Sequence, residues 1–173
     1  APIARAYRKF FAKMQEEKPH VIFVASAGNA GNADKTTGAL NGINDCPAGI
    51  AMPNVITVAS INNDGSRAEF SGFATGDGEV TLAAPGVQMV VGVDENGQPI
   101  KKNGKSYSAP QVSAAIALIQ SINPELNAGQ IKELLVATAA PGVTTGNQSI
   151  PIPEGLGAGV LRVDEAVLKT IND

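Results

Sequence analysis

Two apolar runs of strand length constrain the fold of this chain more than any other feature. They span 20–26 (His-Val-Ile-Phe-Val-Ala-Ser) and 54–61 (Asn-Val-Ile-Thr-Val-Ala-Ser-Ile), and a third candidate strand spans 79–84. Nearly continuous apolar runs of this length are typical of strands that are buried on both faces of a parallel sheet. Because helical patterns precede and follow these strands, we predict an α/β protein with a mostly parallel sheet between helices.

The periodic and turn-forming residues place helices and hairpins around this sheet. Apolar residues recur at three- and four-residue steps through 2–17, which predicts an opening helix. Further helices are predicted over 106–122, after a cap at Asn127, and from a cap at Asp164 to about 171. Asn-Gly and Asp-Gly pairs predict hairpin-type turns at 63–65 and 95–98. Segments 33–53 and 141–159 are predicted loops, and 160–163 a short strand.

Composition narrows the class of protein. The 173 residues are 43% hydrophobic, which is enough for one domain with a sizeable core. A net charge of −3 without a block of like charges argues against nucleic acid as the main partner. No apolar run approaches the ~20 residues that cross a bilayer, and the opening segment lacks the apolar core of a signal peptide. The single Cys46 excludes an internal disulfide, and the single His20 must serve any histidine-dependent mechanism within this chain.

Ser106 is the strongest candidate for a chemical role. A glycine-led loop, 103–105, delivers it to the start of a helix rich in small residues. Backbone N–H groups there have no intrahelical acceptor, and the helix dipole favours negative charge. Such a position suits a nucleophile whose reaction generates an oxyanion.

Two common motifs fail at this loop by one position each. A phosphate-binding loop ending in Gly104-Lys105-Ser106 requires glycine at 99, where the chain has Pro99. The nucleophile elbow of α/β-hydrolases requires glycine at 108, where the chain has Ser108, and no histidine follows. The sequence therefore disfavours both an NTPase and an α/β-hydrolase.

A third motif fits better. Residues 104–110 (Gly-Lys-Ser-Tyr-Ser-Ala-Pro) resemble the Gly-Thr-Ser-x-Ala-x-Pro signature of the subtilisin-like serine proteases. Lys105, Ser108 and Gln111 depart from the commonest residues of that family. Further blocks that resemble the family occur in its order, at 24–31, 53–60, 70–72, 82–86 and 157–163. The resemblance covers nearly the whole chain and implies a three-layer subtilisin-like fold.

The resemblance also implies roles for individual residues. Ser106 would be the nucleophile of a serine endopeptidase that acts through an acyl-enzyme, and Asn29 would be the side-chain donor of its oxyanion hole. The backbone N–H of Ser106 would be the second donor, because fixed donors stabilise the charge that develops on the carbonyl oxygen. Ser26, Ala27 and Gly28 would line the primary substrate pocket.

The family's aspartate and histidine blocks do not occur in this sequence. His20 begins the strand that leads to Asn29, so it is expected at the opposite edge of the sheet, roughly 20 Å away. We therefore predict that 1–173 is the C-terminal portion of a subtilisin-like peptidase domain. Alone it should be inactive, and the N-terminal half of the same domain should be its partner, besides a polypeptide substrate.

Other expectations follow from the same reading. No metal site and no cofactor are predicted from these residues. The resemblance allows a structural calcium in the complete domain, but Thr81 stands near the position of the family's calcium-binding Asp. The parent enzyme is expected to be extracellular or periplasmic, and an exposed sheet face could drive self-association. The alternative is a protease-derived binding or structural module that has lost catalysis, which Lys105 beside Ser106 favours.

Overall fold

A parallel three-stranded sheet organises the chain. The computed structural model describes residues 2–28, 39–40, 45–74, 80–145 and 148–172. In chain order the elements are α1 (Pro2–Glu17), β1 (Phe23–Ser26), β2 (Ala39–Leu40), β3 (Val55–Ile61), β4 (Phe73–Ala74), β5 (Leu82–Pro85), β6 (Met89–Val93), β7 (Pro99–Lys102), a 3-10 turn (Lys105–Tyr107), α2 (Ala109–Ile122), α3 (Ala128–Thr138), β8 (Gly142–Thr145), β9 (Gln148–Pro151) and α4 (Val163–Asn172). The sheet has the order β1-β3-β5, and both pairings are parallel.

Both faces of β3 are buried, as the apolar runs predict. All seven residues of β3 are buried. Ile56 and Val58 point to a core shared with α2, α3 and α4, whereas Val55 packs on the other side with Phe11 of α1. Successive strand residues point to opposite faces. Helices α2, α3 and α4 therefore cover one face of the sheet. On the other face α1 covers the start of β3, while Ala59 and Ile61 pack with Leu156 and Val160. The predicted α/β architecture is confirmed.

The helices begin and end close to the predicted positions. α1 spans Pro2–Glu17, as its periodicity predicts. Asn127 caps α3 in a capping box: its side chain accepts from the Gln130 N–H, while the Gln130 side chain accepts from the Asn127 N–H. The helix predicted to start at Ser106 instead begins at Ala109, because a 3-10 turn lies between.

Three predictions for the connecting segments were wrong. The segment 141–159 contains the antiparallel pair β8–β9, favoured by its β-branched residues. No strand spans 160–163, because Val160 makes only isolated bridges and α4 already begins at Val163, which places Asp164 in its first turn. Within 33–53, β2 pairs with β4, while 33–38 and 41–44 lie outside the described residues.

Candidate active site

Ser106 lies exposed on the 3-10 turn, at the edge of the sheet where the parallel strands end. Gly104 donates its N–H to the carbonyl of Gly86, directly after β5, at 2.7 Å. The Ser106 N–H donates to no backbone carbonyl in the described part of the chain. An exposed hydroxyl beside a free N–H is the arrangement that a nucleophile with an oxyanion donor requires.

The turn rests on a group of buried polar side chains. Ser108 is fully buried, and its Oγ lies 2.8 Å from Ser60 Oγ and 3.0 Å from the Pro85 carbonyl oxygen. Gln111 Nε2 donates to the carbonyls of Pro85 and Tyr107, both at 2.7 Å. Sequence reasoning marked Ser108 and Gln111 only as departures from a motif. It missed Ser60, which reads as one polar residue in a buried strand.

Gly86 makes this close approach possible. A Cβ at Gly86 would lie 2.6 Å from Ser108 Oγ and 2.8 Å from Ser60 Oγ, closer than real Cβ contacts. The glycine that follows β5 therefore allows the turn with Ser106 to pack directly on the strand ends. Gly86 belongs to the block 82–86 that the sequence analysis identified. Only the structure shows that Gly86 leaves room for Ser60 and Ser108.

The predicted pocket residues lie at the same edge of the sheet. Ser26 ends β1 opposite Val58 of β3, Ala27 is fully buried, and Gly28 has a left-handed backbone with φ of 65°. Two strand spacings, roughly 10 Å, separate β1 from β5. The described residues show no hydrogen bond between Ser106 and the segment 26–28. Asn29 lies outside the described residues, so its role remains a prediction.

His20 lies at the opposite end of the sheet, as expected. It precedes β1, is exposed, and its Nδ1 donates to the Leu126 carbonyl at 3.0 Å. Gln120 of α2 donates in turn to the His20 carbonyl at 2.8 Å. These contacts join α2 and the α2–α3 connection to the start of β1 and leave the imidazole at the opposite end of the sheet from Ser106.

Lys105 carries a buried charge next to Ser106. The residue is 4% exposed, and its Nζ has no hydrogen-bond partner among the described residues. Burial lowers the pKa of this ammonium from its usual 10.5 to about 8, because removal from water disfavours the charged form. Neighbouring side chains on a 3-10 turn diverge by about 120°. The lysine therefore points inward where Ser106 points outward.

The described residues contain no group of three or more His, Cys, Asp and Glu side chains that could hold a metal ion. None of the helices described is long and apolar enough to cross a membrane.

Comparisons with known proteins agree with this geometry. The subtilase family model matches residues 2–159, so the chain belongs to the subtilase family. An extracellular protease of Xanthomonas campestris pv. campestris is 32% identical over 86% of this chain and 24% of its own length. The major intracellular serine protease of Bacillus subtilis is 36% identical over 62% of this chain and 31% of its own length. The chain therefore spans about a quarter to a third of these relatives.

A solved structure shows the same fold at low identity. The prenylagaramide maturation protease PagA superposes with a TM-score of 0.62 at 22% identity, over 92% of this chain and 54% of that protein. The predicted subtilisin-like α/β fold is thus confirmed.

Proposed function

We propose that this chain supplies the nucleophile and the oxyanion hole of a subtilisin-like serine endopeptidase. Ser106 Oγ attacks the peptide carbonyl to form an acyl-enzyme, which water then hydrolyses. Asn29 and the Ser106 N–H stabilise the tetrahedral oxyanion, and Ser26, Ala27 and Gly28 receive the substrate side chain. The observation that carries the proposal is the exposed Ser106, with its free N–H, on a turn anchored to the strand ends of a subtilase chain.

The chain acts together with an N-terminal portion of the same peptidase domain, of which 1–173 is the C-terminal portion. A serine nucleophile needs a base, usually a histidine that a carboxylate orients. His20 is the only histidine of the sequence and contacts Leu126 at the other end of the sheet. In the described sheet, β1 is an edge strand, and its outer edge can accept a further strand. The isolated chain is accordingly inactive.

The decisive experiment mixes this chain with the N-terminal portion encoded by the same gene. Peptidase activity and labelling of Ser106 by an organophosphonate should appear in the mixture and disappear in Ser106→Ala. The isolated chain should not be labelled. Rapid burst labelling of Ser106 in the isolated chain would contradict the requirement for a partner.

A catalytically inactive binding or structural module is the second candidate. Lys105 favours it, because the family's commonest residue beside the nucleophile is replaced by a buried ammonium that has no hydrogen-bond partner among the described residues. Stable assembly with the N-terminal portion, without activity or labelling, would support this module.

Two further properties of the parent enzyme belong to the proposal. An extracellular or periplasmic location is supported by the Xanthomonas relative, although the Bacillus relative is intracellular, so the sequence upstream of Ala1 is the test. Self-association is supported by the open edge of β1 and by exposed apolar residues of α1, Ile3 and Phe10. A clean monomer in sedimentation would contradict it.

A further inference from the structure

The buried polar residues under the nucleophile turn form a directed chain of hydrogen bonds. A carbonyl oxygen can only accept, so the Ser108 hydroxyl uses its single proton for Pro85 O. The 2.8 Å contact between the two serine hydroxyls must then be donated by Ser60. The order is therefore Ser60 to Ser108 to Pro85, and each hydroxyl on this path is fully buried.

Gln111 completes the arrangement from the first turns of α2. Its Nε2 carries two protons, and they match the two carbonyl acceptors, Pro85 O and Tyr107 O, each at 2.7 Å. Tyr107 directly follows Ser106, so this amide ties the backbone of the nucleophile turn to the end of β5. Pro85 O is thereby shared between a side chain on the turn and a side chain on the helix.

Both ends of the turn are thus held to the same strand terminus. Gly104 is bound to Gly86 on one side, and Ser108 and Gln111 are bound to Pro85 on the other. The only residue between these anchors that is exposed is Ser106; Lys105 is buried and Tyr107 is half-buried. We call these side-chain anchors the clamp, which consists of Ser60, Ser108 and Gln111.

We propose that Ser108 and Gln111 are positioning residues, which together with Ser60 fix the direction of the Ser106 hydroxyl relative to the substrate carbonyl. The proposal rests on the proposed peptidase function. Reaction rates depend steeply on the geometry of the attacking group, and a displacement of about 1 Å can cost on the order of a hundredfold in rate. Neither residue touches substrate, so substrate binding should change little.

The first test measures the turn itself and needs no activity. Native-state amide exchange should accelerate at least about tenfold at Tyr107 and Ser108 in Ser108→Ala and Gln111→Met. Ser113→Ala is the matched control, because Ser113 is an exposed serine on α2 whose hydroxyl bonds only to the Ala109 carbonyl within the same helix. Unchanged exchange in the two clamp variants would overturn the proposal.

The second test measures catalysis in the chain assembled with its N-terminal portion. Ser108→Ala and Gln111→Met should lower kcat on the order of tenfold to a hundredfold at nearly constant KM, while Ser113→Ala keeps both values. Faster amide exchange with unchanged kcat would reduce the clamp to a structural role and overturn the proposal. If the assembled wild type shows no activity or labelling, the peptidase function itself fails, and with it the catalytic role of the clamp. The exchange data would then still report whether the clamp holds the turn.

Discussion

The two ends of the parallel sheet carry different residues and different hydrogen bonds. At the carboxyl end, the termini of β3 and β5 hold an exposed serine on a turn supported by buried hydroxyls. At the amino end, the sole histidine makes an exposed contact with the Leu126 carbonyl. Open α/β sheets bind their ligands outside the carboxyl ends of the strands. The difference indicates that Ser106, the proposed nucleophile, lies where a ligand can reach it, and that the imidazole binds the connection between α2 and α3.

The largest expected effect is the difference in kcat between a substitution at the carboxyl end and one at the amino end. In the chain assembled with its N-terminal portion, Ser106→Ala should lower kcat by about 10⁶-fold, because the covalent route is lost. His20→Asn should leave kcat within about twofold, since asparagine retains an N–H donor for the Leu126 carbonyl. Steady-state hydrolysis of a peptide substrate measures both. A comparable loss of activity in folded His20→Asn would place the imidazole in the mechanism and reverse the assignment of the two ends.

Asn29, the proposed oxyanion donor, should give the next largest effect on kcat. Asn29→Ala should lower kcat by about 10²–10³-fold with little change in KM, the loss typical of one missing oxyanion donor. Asn96→Ala is the control, because Asn96 is an exposed residue at the tip of the β6–β7 hairpin. The same peptide assay measures both variants. An Asn29→Ala enzyme with raised KM and unchanged kcat would instead make Asn29 a substrate-binding residue.

The sequence predicted the parallel sheet and singled out the loop of the exposed Ser106, because both depend on local patterns. The runs 20–26 and 54–61 are apolar along nearly their whole length, because a strand buried on both faces must be apolar on both. Ser106 belongs to a motif of fixed spacing. The clamp was not predictable, because Ser60 and Ser108 are 48 residues apart and meet only when β3 and α2 pack. The β8–β9 hairpin was missed although its β-branched residues and the Gly-Asn pair at 146–147 provide a signal.

The close packing around Gly86 can be tested by adding a single methyl group. Gly86→Ala places a Cβ within 3 Å of both Ser60 Oγ and Ser108 Oγ, so the turn must move away from the strand end. We expect the free energy of unfolding to fall by about 1–3 kcal/mol, as measured by urea denaturation. Gly92→Ala is the matched control, because a Cβ there meets nothing within 4 Å. Equal stability of the two variants would show that the turn tolerates displacement.

The smallest expected effect is the pH dependence of stability caused by Lys105, the buried residue next to Ser106. Because burial lowers the pKa of Lys105 to about 8, the folded chain releases its proton at a lower pH than the unfolded chain, whose lysine titrates near 10.5. Between these values the unfolded state binds more protons, so stability should rise as the pH increases from 8 to 10.5. A full shift corresponds to roughly 3 kcal/mol. Partial screening by solvent reduces the expected rise to about 1–2 kcal/mol.

Lys105→Met should remove this rise, since methionine fills similar space without a charge. The measurement is urea denaturation of wild type and variant at pH 7, 8, 9 and 10.5, and the difference between the two proteins cancels the titration of other groups. Lys101→Met is the control, because Lys101 is an exposed residue of β7 and should keep the wild-type pH dependence. A Lys105→Met curve parallel to wild type would mean that the ammonium finds a partner or water in the folded chain. The buried Lys105 ammonium beside Ser106 would then not make stability depend on pH.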